Sequence, residues 1–170
     1  MSDTMHHLGP AEIYEKLTAL HIPFDYHEHP PAPTAAVAAT YWSDIDAGYC
    51  KNLFFRNHKG NKHFLVVIAH NQSLGIKSLE QKLRQGKITF ASGWRLEKYL
   101  GTTTGAISPL GLVFDEWHNI HLFLDEALSN YDKLAFHPND NRAAVAIALN
   151  DLLRFIDACG NSREFGAWAG

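Results

Sequence analysis

Two neighbouring apolar segments near the middle of the sequence constrain the fold most strongly. Residues 53–56 and 63–69 are short runs dominated by Leu, Phe, Val and Ile, and the polar segment 58–61 between them contains Gly60. Two such runs joined by a short polar turn predict an antiparallel β-hairpin. An isolated hairpin is barely stable in water, so a chain that contains one must extend it into a larger sheet and cover that sheet.

The hairpin is preceded by two polar residues, Lys51 and Asn52, where core residues would be expected. Removing a lone ammonium from water is costly, so a lysine that enters a sheet needs a partner or a ligand. Lys51 could bind a phosphate or stabilise developing negative charge, and Asn52 could donate a hydrogen bond to a carbonyl. The alternative is a strand-edge lysine with its ammonium in water and an asparagine that caps a turn.

The N-terminal quarter predicts a helix, a strand and a second helix. Pro10 fits the first position of an amphipathic helix, and residues 23–29 alternate as a strand does. Thr34 fits the N-cap of a short alanine-rich helix that extends to about Ala39.

The second half of the chain mixes further helices and strands without regular βαβ alternation, which argues against a doubly wound parallel sheet. The predicted fold class is therefore mixed α/β (α+β), with a single domain over residues 1–170 and a core at about residues 9–160. Helices are expected around Leu79 up to Gly86, over residues 90–100, and from Asp140 to Gly160 with Val145 on the apolar stripe. Strands are expected at residues 113–114 and 120–124. The tail after Gly160 is expected to be loose, unless Phe165 and Trp168 dock it.

The composition indicates a folded protein of the cell interior. Of 170 residues, 46% are apolar and 19% are charged, a composition typical of a folded globular protein rather than a disordered one. No apolar run approaches the roughly 20 residues that cross a bilayer, and the N-terminus lacks the order of a signal peptide. Two cysteines make neither a disulfide framework nor a metal knuckle. These features predict a cytoplasmic location without a membrane partner.

Charge is distributed unevenly along the chain. The net charge is −3, but residues 51–98 carry ten Lys/Arg against two Glu, a local charge of +8. The flanking segments 1–50 and 99–170 are acidic, at −6 and −5. The basic block either binds a polyanion on one face or is an ordinary solvated surface.

Two further segments could contribute to a site. The glycine-framed loop of residues 105–111 can expose backbone N–H groups that bind an anion or stabilise an oxyanion, unless it is an ordinary strand connection. His137, between Phe136 and Pro138, could orient a substrate group or act as an acid or base. Alternatively, the His137 ring has a structural role, in which it packs beside Pro138 and hydrogen-bonds to the backbone. Together with Lys51, these segments could line one cleft.

The eleven histidines do not predict a metal site. The close pairs His27/His29 and His118/His121 lack a third ligand at a typical spacing. Cys50 has no identifiable histidine base and is expected to be a small buried thiol rather than a nucleophile. No metal or other cofactor is predicted.

Taken in order, these segments resemble a known family. Lys51-Asn52-Leu53-Phe54 followed by a Lys-Gly turn, the Gly105-x-x-x-Pro109 loop and the segment from Phe136 to Asn141 resemble the signatures of the YbaK/ProRS-associated domains. His29-Pro30-Pro31 also fits its free-standing prolyl-tRNA deacylases of the ProXp-ala (PrdX) type. The resemblance extends from about residue 10 to 157, which makes it more specific than any single motif.

The resemblance implies a curved, largely antiparallel sheet and the hydrolysis of alanine mischarged on tRNA(Pro), without a metal. Lys51 would contact the terminal adenosine or its phosphate, and the helix after Thr34 would cover the site. The aminoacyl pocket would include Asn52 and His137, with the helix of residues 35–39 and Ile107 as walls, and the loop would hold the ester carbonyl. The implied catalytic residues are Lys51, Gly105, Ser108 and His137; the implied substrate-binding residues are Thr34, Asn52, Ala106, Ile107 and Pro109.

Partners and alternatives follow from the same resemblance. The implied partner is the acceptor end of tRNA(Pro), with prolyl-tRNA synthetase as a further candidate, and DNA is not expected. The segment of residues 43–50 departs from the family pattern and borders the covering helix. The alternatives are a Cys-tRNA(Pro) deacylase, a non-catalytic module that binds tRNA or a synthetase, and a metal-binding protein that uses the histidines.

Overall fold

The computed structural model describes residues 6–169, except for the side chain of Ala35. Over that range the chain forms eight strands and five α-helices. The strands are β1 (Asp25–Glu28), β2 (Gly48–Asn57), β3 (His63–Ala69), β4 (Ile88–Phe90), β5 (Ile120–Asp125), β6 (Lys133–Phe136), β7 (Ala143–Ala148) and β8 (Arg163–Gly166). The helices are α1 (Ala11–Ala19), α2 (Ala35–Trp42), α3 (Ile76–Leu83), α4 (Gly93–Leu100) and α5 (Leu149–Cys159). No helix within this range is long and apolar enough to cross a bilayer.

The eight strands form one mixed sheet in the order β1-β7-β6-β2-β3-β5-β8, and β4 also pairs with β2. Four of the described pairings are antiparallel and three are parallel. The predicted hairpin is β2–β3, with Phe54 opposite Leu65. The predicted fold class, a mixed α/β domain around a mainly antiparallel sheet, is confirmed.

β2 organises the sheet because its two edges are used differently. One edge pairs continuously with β3 from Cys50 to Arg56. The other edge pairs with β6 only at Gly48 and Tyr49, and with β4 only from Phe55 to Asn57. Residues 50–53 therefore face no described strand on that side, and the sheet is split there.

Each face of β2 contributes to a different part of the core because successive side chains point to opposite faces. Phe54 packs in the main core, which helices α1 and α5 cover with Leu17 and Phe155. Phe55 packs on the other face, with Leu79 of α3. On that same face, α2 packs through Trp42 against the small side chains of β6 and β7, which form a third cluster.

Residues 140–148 contradict the prediction that the last helix begins at Asp140. Ala143–Ala148 is the strand β7, and the helix begins at Leu149. β7 pairs with β1 on one side and β6 on the other, so five of its six residues are fully buried. A segment of alternating alanine and β-branched residues has no polar face, so its periodicity does not distinguish a central strand from a buried helix.

Other boundaries also differ from prediction. The expected strand at residues 113–114 is the end of a 3₁₀ helix, Pro109–Phe114, and Phe90 lies in β4 rather than in a helix. Helix α3 ends at Leu83 rather than at Gly86, because its C-cap, Arg84, adopts the left-handed conformation with φ 53°. The tail after Gly160 is not loose: it forms β8, which pairs with β5. The ring of Trp168 packs on Phe123, as the docking alternative predicted.

The buried His63 gives the fold a predictable pH dependence. Its side chain is 1% exposed, and Nε2 lies 2.8 Å from the guanidinium of Arg95. Burial, assisted by Arg95, lowers the pKa of His63 from 6.5 to about 4. Between these values the unfolded chain binds a proton that the folded chain does not, so stability falls as the pH drops from about 6.5 to 4. In urea titrations, the free energy of unfolding of wild type should fall between pH 6.5 and 4, and in His63→Gln this fall should be smaller by about 1–3 kcal/mol. Identical pH profiles of the two proteins would contradict this expectation.

Candidate active site

A cavity of about 500 Å³ lies at the split in the sheet. Residues 49–53 of β2 line one side, and α2 covers it from Thr34 to Trp42. The loop that contains Gly105 and the side chains of His70 and His137 complete the wall. The missing strand pairing beside β2 thus leaves room for a ligand against exposed backbone.

Six of the nine predicted site residues line this cavity, although up to about a hundred positions separate them in sequence. The six are Thr34, Lys51, Asn52, Gly105, Ile107 and His137. Ala106, Ser108 and Pro109 are buried and do not line it. The Ser108 hydroxyl accepts a hydrogen bond from Leu110 N at 2.9 Å, and it caps the 3₁₀ helix that follows.

Lys51 is held at the cavity by a backbone acceptor. Its Nζ donates to the carbonyl oxygen of Gln72 at 2.6 Å, in the turn that follows β3. The Gln72 side chain is itself fixed, because Oε1 accepts from Ala69 N at 2.8 Å and Nε2 donates to Asp125 at 2.9 Å. A neutral carbonyl leaves the ammonium charge uncompensated, so the remaining hydrogens can bind an anionic or polarised group.

Asp125 anchors this network in the core. Its carboxylate is 2% exposed and accepts hydrogen bonds from the Gln72 amide and from the backbone N–H groups of Ala127, Trp168 and Ala169. Burial alone would raise the pKa of Asp125, but the hydrogen bonds outweigh it and hold that pKa below its usual value. The carboxylate therefore joins the C-terminal tail to the turn that holds Lys51.

His137 presents a neutral acceptor to the cavity. Its Nδ1 donates to the carbonyl oxygen of Ala143 at 2.9 Å, which leaves Nε2 as the acceptor nitrogen. Burial lowers the pKa of His137 despite this hydrogen bond, so the imidazole is uncharged near neutral pH. The ring packs against Trp42 with 4.9 Å between centroids.

Helix α2 is fastened over the cavity at both ends. The Thr34 hydroxyl accepts from Val37 N at 3.2 Å, which confirms its predicted role as N-cap. At the other end, Trp42 Nε1 donates to His29 Nε2 at 2.9 Å, while His29 Nδ1 donates to Pro30 O. The predicted pocket walls on this helix include Ala36 and Ala39, which line the cavity; the side chain of Ala35 lies outside the described residues.

Two buried polar atoms at the cavity lack a hydrogen-bond partner in the described part of the protein. They are Asn52 Oδ1 and His70 Nδ1. Unpaired buried polar atoms are costly, so the hydrogen bonding of this part of the cavity wall is incomplete within the described residues. Burial also raises the pKa of the Cys50 thiol, which keeps it protonated and makes it a poor nucleophile.

Sequence reasoning missed several residues of the site. Gln72 lies 21 residues after Lys51 in the sequence, and Asp125 lies 53 residues after Gln72. Neither residue belongs to a recognisable motif. His70, Trp42 and Tyr49 also line the cavity. Within residues 6–169 no group of three or more His, Cys, Asp or Glu side chains could hold a metal ion.

Comparison with known proteins identifies the family. The model of the aminoacyl-tRNA editing domain matches residues 29–155, a range that includes every residue lining the cavity. The chain belongs to the aminoacyl-tRNA editing domain family. The cavity at the split in the sheet is therefore the candidate active site of an editing domain.

Individual relatives of this editing domain cover nearly its whole length. A prolyl-tRNA editing protein, ProX, from Acetoanaerobium sticklandii is 37% identical over 150 residues, which are 88% of this chain and 92% of that protein. A prolyl-tRNA synthetase associated domain-containing protein 1 from Mus musculus is 28% identical over 155 residues, covering 89% of this chain and 91% of its own. A solved structure described as a "putative trans-editing enzyme for prolyl tRNA synthetase" has a TM-score of 0.69 at 20% identity over 91% of this chain and 94% of its own, a likeness of fold.

Proposed function

We propose that this chain hydrolyses the ester bond of alanine mischarged onto tRNA(Pro), and releases alanine and intact tRNA. The observation that carries the proposal is that Lys51, Asn52, Gly105 and His137 meet around one cavity. The relatives named for prolyl-tRNA editing support tRNA(Pro) as the substrate class. The acceptor end of the tRNA would enter at the split in the sheet.

Lys51 would hold the substrate rather than transfer a proton. Its ammonium donates to Gln72 O at the cavity wall, and its other hydrogens would bind the terminal adenosine or its phosphate. The local charge of +8 over residues 51–98 would attract the acceptor end.

The loop that contains Gly105 would stabilise the oxyanion. Gly105 lines the cavity and lies close to the segment that leads into α2, since an added Cβ would be 3.4 Å from Pro33 O. Water would attack the ester carbonyl, and backbone N–H groups would bind the resulting oxyanion. The adenosine 2′-OH would position the attacking water, and the 3′-oxygen would leave with a proton. An aminoacyl ester is already activated, so no strong protein base is required.

The aminoacyl end of the cavity would favour a small side chain. Trp42 lies against both His137 and Tyr49, with ring centroids 4.9 Å and 5.9 Å apart, and these rings narrow the space beneath α2. A synthetase cannot exclude alanine from a proline pocket by size alone, because each missing methylene changes binding by only about 1–3 kcal/mol. A second pocket that admits alanine but not proline would remove the error.

A deacylation panel tests this function directly. Purified protein is incubated with tRNA(Pro) charged with alanine, cysteine, serine or proline, with and without EDTA. We expect alanine to be released fastest, the correct proline ester to persist, and EDTA to have no effect, because the proposed chemistry uses no metal. Faster release of cysteine would favour the Cys-tRNA(Pro) alternative.

The panel also separates an enzyme from a binding module. A non-catalytic module would bind tRNA(Pro) without releasing any amino acid, and Lys51→Ala would then weaken binding only. Activity that appears only after addition of prolyl-tRNA synthetase would identify the synthetase as a required partner. The proposed site of action is the cytoplasm, where charged tRNA is used.

A further inference from the structure

Phe90 is an exposed aromatic residue whose ring is supported from beneath. It is 58% exposed, and its ring stacks on that of the fully buried Phe55, with centroids 4.6 Å apart and an angle of 25° between the planes. Packing thus fixes one face of the Phe90 ring, while much of the ring remains open to solvent. Such a ring can receive another flat ring without losing much conformational freedom.

The position of Phe90 relates it to the cavity. Side chains at alternate positions of β2 share a face, so Lys51, Leu53 and Phe55 point the same way. Lys51 and Leu53 line the cavity, and Phe90 is the register partner of Phe55 in β4. Four residues of strand correspond to roughly 13 Å, so Phe90 continues the same face beyond the cavity, within reach of the nucleotides next to a terminal adenosine.

The surroundings of Phe90 are basic and aromatic. Residues 82–98 contain five Lys or Arg and one acid, Glu97. Trp94 is 56% exposed, and the Arg95 guanidinium lies 4.4 Å from its ring centroid. None of the five cations takes part in the ion pairs formed by residues 6–169. Cations interleaved with open aromatic rings are typical of surfaces that bind single-stranded nucleic acid.

We propose that the open face of Phe90 is a stacking platform for an unpaired base near the 3′ end of the RNA substrate. Trp94 and Arg95 would lie alongside the same strand. The inference rests on the proposed function, because the strand must end in the cavity at Lys51. A second copy of the chain is the less favoured occupant, since two surfaces of the same positive charge repel each other whereas a polyanion is attracted.

Two substrates that differ in length test the platform. Alanyl-tRNA(Pro) carries the unpaired 3′ nucleotides, whereas 3′-O-alanyl-adenosine lacks everything before the last one. In Phe90→Leu, which keeps apolar bulk without a flat ring, we expect the ratio of kcat/KM for the long substrate to that for the short one to fall about tenfold, through KM. Phe90→Trp should preserve the ratio. Trp117→Ala, at an 84% exposed aromatic in a different loop, is the matched control and should leave the ratio unchanged.

Several outcomes would overturn the proposal. They are an unchanged ratio in Phe90→Leu, an equal loss on both substrates, and a wild-type dimer that Phe90→Leu converts to a monomer. If the wild type hydrolyses neither substrate, the proposed function fails, and stacking is then judged by binding of uncharged RNA hairpins. Weaker binding by Phe90→Leu to a hairpin with an unpaired 3′ CCA end, but not to a blunt hairpin, would support the platform; equal binding would reject it.

Discussion

Replacing Lys51 by alanine is expected to reduce deacylation of alanyl-tRNA(Pro) by about 100-fold or more. The ammonium is the charged group at the cavity beside the Gly105 loop, and Gln72 O holds it in place. Removing a preorganised charged donor from such a site lowers the reaction rate far more than removing a solvent-exposed one. Single-turnover kinetics over a range of enzyme concentrations should show a lower rate constant at saturation as well as a weaker affinity for the substrate.

The control for Lys51→Ala is Lys59→Ala in the same basic block. Lys59 is exposed in the hairpin turn, so its loss changes the net charge equally but should change turnover less than about threefold. Lys51→Ala should remain folded, with a loss of stability of about 1 kcal/mol for one hydrogen bond. Near-normal turnover by a folded Lys51→Ala protein would contradict the proposed mechanism.

Replacing Asp125 by alanine is expected to lower both stability and turnover. The buried carboxylate satisfies three backbone N–H groups and the Gln72 amide, so its removal should cost about 3 kcal/mol in urea unfolding. Turnover should fall as well, since the turn that holds Lys51 loses its anchor. The kcat of the folded variant should decrease more than its KM increases.

The neighbouring Glu126→Ala provides the matched control, because Glu126 is exposed and its loss should be nearly neutral.

The pH dependence separates the charge of Asp125 from its shape. The folded pKa is below the usual 3.8, so the carboxylate stabilises the fold above the unfolded pKa, and this stabilisation is lost as the pH falls through the folded value. The stability gap between wild type and Asp125→Asn should therefore narrow below about pH 4. A folded Asp125→Ala protein with wild-type stability and kcat would refute the anchoring role.

Local sequence signals predicted the elements that have a clear hydrophobic periodicity or clear capping or turn residues at their ends. The β2–β3 hairpin, helix α1 and the Thr34 cap follow from alternation, spacing and capping chemistry that act within a few residues. The same reasoning was wrong for β7, where every residue is apolar and both periods fit equally well. It predicted that Trp168 could dock the tail but not that the tail forms a strand, because β8 exists only where β5 offers an unpaired edge.

In the candidate site, too, some features follow from the local sequence and others depend on the fold. From the sequence, Lys51, the glycine loop and His137 are chemically unusual for their surroundings, and their order along the chain indicates a family. The fold is needed to see that the Gln72 carbonyl binds Lys51, that the Asp125 carboxylate holds Gln72, and that Phe90 continues the face of β2 beyond the cavity. These contacts join residues far apart in the chain, and local propensity carries no information about pairings that depend on how strands are ordered in the sheet.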